Sequence, residues 1–240
     1  MNDYFNNQMP PAYFNTAEVA HQTNAVMKRV YVRMFIGLLV SAFCALGVAS
    51  SPAAISFIFG NSIVFWGMII AMFAMAIVIP ARMQKMASGT VLMLFILFSA
   101  IMGVSLSSIF LVYKINAIVS TFFISAGTFG AMSVYGYVTK TDLTKMGSFL
   151  TMALFGLIIA MVVNIFLKSA AMDYVVSIIG VLIFIGLTAW DTQQVKQLAA
   201  SNLEPSMTDK LATMGAMNLY LDFINLFLFL LRIFGGSSRN

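Results

Sequence analysis

Apolar residues run in blocks of about 20, the length that crosses a bilayer as a helix, and charges and helix breakers fall between the blocks. The blocks occupy residues 34–50, 62–81, 88–112, 115–138, 146–167, 174–190 and 211–231. Ser51-Pro52, Gly60-Asn61, Pro80 with Arg82, Lys114, Lys140, Lys168, Asp191 and Arg232 mark their ends. None alternates apolar and polar positions as a barrel strand does, and helices are the other way to satisfy the backbone in lipid. The pattern therefore predicts an all-α integral membrane protein with seven spanning helices over residues 28–236, joined by short connections. Residues 1–27 are polar and Asn-rich, with Pro10-Pro11, and read as a disordered cytoplasmic tail. Because that leader is long and a second apolar block follows at once, the first block reads as a span and not as a cleaved signal.

Composition agrees. Of 240 residues, 61% are hydrophobic and 9% charged, too few charges to cover a water-facing surface. A soluble enzyme and a disordered chain are excluded, and the single cysteine, Cys44, cannot pair within the chain. The net charge of +5 serves topology here and gives no reason to expect nucleic acid. Lys28, Arg29, Arg33, Arg82, Lys85, Lys140, Lys145, Lys196 and Lys210 fall on one side of the expected spans; Lys114, Lys168, Arg232 and Arg239 fall on the other. The positive-inside rule then places the N-terminus in the cytoplasm and, after seven spans, the C-terminus outside.

The chemistry concentrates in a few polar residues. Asp222 lies well inside the last block, where a carboxylate costs about 2.5–3.5 kcal/mol to insert. Asn218 and Asn225 share its helix face, at four residues before and three after, and Arg232 continues the stripe. Ser206 with Asp209 resembles a capping box that would start this helix before residue 211. Asp191 ends the sixth block, with Thr188 and Gln194 on its face. Arg82 ends the second block on the same side as Asp191, so guanidinium and carboxylate could pair and close an opening between helices. Asp191 and Asp222, if brought together, would titrate as a coupled pair. Loss of a proton from Asp191 would then favour its bond to Arg82 and a shut state. Their oxygens could meet a calcium ion in transit, but two acids are too few for a calcium cage of six to eight oxygens. Ala126 and Gly130 form a small-xxx-small pair expected to let the fourth span pack closely. Asn164 is expected to bond between helices.

The run Leu219-Tyr220-Leu221-Asp222-Phe223-Ile224-Asn225-Leu226-Phe227, with Leu230-Leu231-Arg232 after it, resembles the last-helix signature of the transmembrane Bax inhibitor motif family, bacterial branch. Asp191-Thr192-Gln193 is similar to that family's Asp-Thr-Gln at the end of helix six. The resemblance covers nearly the whole chain. It implies seven helices with the last one central, in the bacterial inner membrane, and a pH-sensitive calcium leak. Asp191 and Asp222 would be the paired proton sensor and Arg82 the latch. Thr188, Asn218 and Asn225 join Asp222 as candidates for the ion pathway. No cofactor is expected beyond calcium as a permeant ion, and the partners expected are lipid, calcium and protons, with the chain a monomer. Some bacterial relatives are linked instead to a membrane protease, so a non-conducting regulator is the alternative. Enzymatic activity is not expected. An intramembrane aspartyl protease would need Gly-x-Gly-Asp, which precedes neither acid. A retinal protein would need a lysine in the last span, and residues 211–231 hold none.

Overall fold

Lipid offers the backbone no hydrogen-bond partners, so each apolar block satisfies its own N–H and C=O groups by forming a helix. The computed structural model describes residues 16–201 and 204–236. Its helices are α1 (Thr16–Ala49), α2 (Pro52–Gly60), α3 (Ser62–Arg82), α4 (Ser88–Leu106), α5 (Ile109–Val112), α6 (Ile115–Val138), α7 (Thr144–Leu167), α8 (Ala170–Ala200) and α9 (Pro205–Phe234). A 3-10 turn over Met83–Lys85 follows α3, and no strand occurs among the described residues. Seven segments are long and apolar enough to cross a membrane: α1, α3, α4 with α5, α6, α7, α8 and α9. The fold is thus an all-α, seven-span bundle.

The ends of the helices differ from the sequence reading, for local reasons. Residues 16–27, expected as tail, are the first turns of α1. Thr23, Val26 and Met27 are buried there, continued at helical spacing by Val30, a stripe hidden among the polar residues between them. The rest of the expected tail, 1–15, lies outside the described residues. Pro80 does not close α3 but sits in its last turn. The loop after α1 holds a short helix, α2, with Pro52 at its first turn and the Ser51 hydroxyl capping the Ala54 N–H at 3.3 Å. At the start of α9, Ser206 is not the cap. Glu204 occupies that position and Pro205, which needs no N–H partner, begins the helix. Asn164 bonds locally, accepting from the Ser169 N–H at 3.1 Å, where α7 ends in a left-handed Lys168.

The spans pack on α9 unequally. It packs against α8, α1, α6 and α4, whereas α3 packs chiefly on α4 and α7 on α8. In the most apolar stretch of α9, 72% of residues are buried, against at most 33% in any other span. Close approach follows from small residues. At Gly103 of α4 a methyl group would collide with the Ser41 backbone of α1, and at Gly136 of α6 with the Ala189 carbonyl of α8. Gly130 behaves otherwise: it faces open space, so the Ala126–Gly130 pair is not what brings α6 against its neighbours. Asp142, in the α6–α7 connection, accepts the Thr144 N–H at 2.9 Å. Its bonds with Thr144 hold the carboxyl below its usual value.

Candidate functional site

Asp191 is not a terminal residue. The helix continues nine residues past it to Ala200, so the acid lies within α8 and faces α9, with 8% of its surface exposed. Asp222, on α9, is 5% exposed. The two carboxyls face each other across the α8–α9 contact. The buried Oδ2 of Asp222 has no hydrogen-bond partner among the described residues. At this depth a charge with no partner carries a penalty of several kcal/mol.

The three residues that resemble a motif serve three neighbours, because consecutive side chains on a helix point about 100° apart. Asp191 meets α9. The Thr192 hydroxyl lies 3.4 Å from the Ser133 hydroxyl on α6. Gln193 accepts the Leu143 N–H and donates to the Thr141 carbonyl, both at 2.8 Å. It thereby ties the α6–α7 connection to α8. The motif is a junction, with the acid as its only titratable member.

From the end of the bundle where α1 begins and α8 meets α9, a cavity of about 60 Å³ leads to Asp191. Gln194, Asn218 and Thr208 give it polar lining, and Val26 closes its α1 side. It has room for one or two waters. On the other side of the pair the path is aromatic: Phe129 and Phe122 lie edge-on to Phe223, with centroids 5.6 and 5.5 Å apart. Phe184 stacks on Phe229 at 5.9 Å.

Of the other residues singled out by sequence, Asn218 is exposed at the cavity and Asn225 is half-buried. Asn225 donates to the Leu221 carbonyl of its own helix at 2.8 Å. Thr188 is buried and likewise donates within its helix, to Phe184 O at 2.7 Å. Arg232 pairs with Asp173 at 3.6 Å, at the opposite end of the bundle. The structure does not bring Arg82 to the acids: it is exposed at the end of α3 and forms no ion pair among the described residues. The reason is the peripheral place of α3, which packs on α4 and not on α8.

Sequence reasoning missed Arg33. Read only as a topology signal, it bonds the Asp209 carboxylate and donates to the Asp209 carbonyl at 2.6 Å and the Thr213 hydroxyl at 2.7 Å. Arg29 adds a 3.8 Å contact with the same carboxylate. These bonds fasten the first turns of α9, which form a wall of the cavity below Asp191, to α1. Its one sequence signal was spacing, since Arg29 and Arg33 stand on one face of α1.

The chain matches the family described as "Inhibitor of apoptosis-promoting Bax1" across residues 23–240. It is 49% identical over 212 residues to the inner membrane protein YbhL of Escherichia coli K12, covering 88% of this chain and 91% of that one. A protein of Borreliella burgdorferi described as uncharacterized is 46% identical over 218 residues, covering 90% and 94%. An uncharacterized membrane protein of Streptococcus pyogenes serotype M1 is 34% identical over 217 residues, with the same coverage of 90% and 94%. Match and fold agree over the whole bundle: this chain belongs to the Bax inhibitor-like family of membrane proteins.

Proposed function

We propose that the chain is a pH-sensitive cation leak pathway of the bacterial inner membrane, with calcium as its transported ion and its N-terminus in the cytoplasm. The observation that carries this reading is the pair of buried acids, Asp191 and Asp222, at the α8–α9 contact, with a small cavity opening to Asp191. In this shut arrangement the pair carries a single charge and joins α8 to α9. Removing the shared proton leaves two adjacent carboxylates in a low-dielectric bundle. Their repulsion drives the two helices apart and presents oxygen ligands to a divalent cation. Four carboxylate oxygens fall short of a calcium cage, which suits an ion that must leave again.

The sign of the pH response differs from the one expected with Arg82 as latch. That expectation required deprotonated Asp191 to find a guanidinium. With Arg82 at the periphery, deprotonation has no counter-charge to bind and acts by repulsion, so flux rises with pH.

The test is efflux from calcium-loaded liposomes containing the purified chain. Flux above that of empty liposomes is expected, increasing as pH is raised across roughly 6 to 8. Asp191→Asn and Asp222→Asn are each expected to abolish the pH response. Efflux equal to that of empty liposomes throughout would leave the non-conducting reading in its place.

A further inference from the structure

Helices α1 and α6 both pack on α9 but make no extended contact with each other. Near one end the Tyr137 hydroxyl bonds Asn24 Oδ1; along the rest of their length a seam separates them. Two cavities occupy it, one of about 530 Å³ between Met27–Tyr31 and Phe129–Tyr137. The other, of about 370 Å³, is lined by Phe35, Leu39, Phe122 and Ala126. Each falls in the size range of sites for drug-sized ligands.

The same faces of both helices line the two cavities, so they form one groove. On α1 the positions are 24, 27, 31, 35, 38 and 42; on α6 they are 118, 122, 126, 130, 133 and 137. From Ile118 to Tyr137 the groove runs about 28 Å, close to the thickness of the hydrocarbon core. Gly130 keeps it open at mid-length, where its missing side chain has nothing within 4 Å. Phe35, Leu39 and Phe122 are exposed along its rim, so it opens sideways, toward lipid.

Its mouth is cationic. Lys28 lies on the groove-facing stripe of α1 between Asn24 and Tyr31, and Lys140 follows the end of α6; both are exposed. Neither has an ion pair or hydrogen bond among the described residues. Lys196 sits over the Tyr137 ring at 4.8 Å and donates to its carbonyl at 2.6 Å. Asp142, two residues beyond Lys140, is exposed and accepts the Thr144 N–H, with no ion pair to Lys140. An apolar groove with two exposed lysines free of ion pairs near its end suits an acyl chain joined to an anionic headgroup.

We propose that the α1–α6 seam is a binding site for an anionic phospholipid, its phosphate at Lys28 and Lys140 and an acyl chain along Gly130 and Ala126. Phe223, Ile224 and Phe227 form the floor of the groove, so the bound chain touches the residues that flank Asp222.

The test is native mass spectrometry of the full chain in detergent, titrated with phosphatidylglycerol or phosphatidylcholine of identical acyl chains. Preferential retention of phosphatidylglycerol is expected, with Lys28→Gln and Lys140→Gln each cutting its affinity about fivefold. Phosphatidylcholine binding should change little in these variants. Gly130→Trp, filling the groove, should reduce retention of both lipids. The lysine variants lie at exposed positions and keep the test decisive should Gly130→Trp misfold. Equal retention of the two lipids, or affinities unchanged in both lysine variants, overturns the proposal. So does a folded Gly130→Trp chain that binds as the parent does, or a dimer mass whose formation Gly130→Trp abolishes, which would give the groove to a second copy.

Discussion

Asp191, Thr192 and Gln193 stand side by side in sequence yet reach α9, α6 and the α6–α7 connection. That arrangement requires α6 to lie unusually close to α8, and Gly136 supplies the room. Gly136→Ala would drive a methyl group into the Ala189 carbonyl, two residues before Asp191. Backbone cannot yield as a flexible side chain does, and overpacking of this kind costs about 1–3 kcal/mol. The expected result is a clear fall in thermal unfolding temperature in detergent for Gly136→Ala and no such fall for Gly130→Ala, whose Cβ meets nothing. Equal stability of the two variants would contradict the close α6–α8 approach. Both acids were legible in the sequence because a carboxylate in an apolar run is conspicuous whatever surrounds it. Arg82 was placed by depth alone. Depth says nothing of which helices are neighbours, and that is why its pairing did not carry over.

At the scale of helices, spans were legible because a bilayer imposes a length, whereas their true ends were not. Residues 191–200 look like a loop by composition, yet α8 continues through them, held by Gln193 and by Val195 and Ala199 in the core. The same holds for residues 16–27 of α1, where buried Thr23, Val26 and Met27 outweigh the polar composition. The Arg33 bonds to Asp209 and Thr213 depend on these extensions, since they join the early part of α1 to the first turns of α9. Arg33→Gln would remove a charge-assisted bond worth about 1.5–3 kcal/mol. Amide exchange at residues 206–213 is therefore expected to quicken roughly tenfold or more, with little change in α7, which packs elsewhere. Unchanged exchange at 206–213 would mean that this part of α9 is held by packing alone.

Across the whole molecule, the polar interior is short and one-sided. A small cavity, largely apolar but with Gln194, Asn218 and Thr208 in its lining, reaches Asp191 from the end rich in Lys and Arg, and paired phenylalanines pack beyond it. On the proposed mechanism, opening toward the other side requires α8 and α9 to separate, with loss of a proton shared by Asp191 and Asp222 as the trigger. The most direct measurement is infrared difference spectroscopy of the lipid-reconstituted chain across the pH range in which efflux is recorded. A protonated-carboxyl C=O band is expected that disappears as pH rises, in step with the increase in flux, and that is shifted or lost in Asp222→Asn. A band insensitive to that substitution, or one that titrates where flux does not change, would contradict the account.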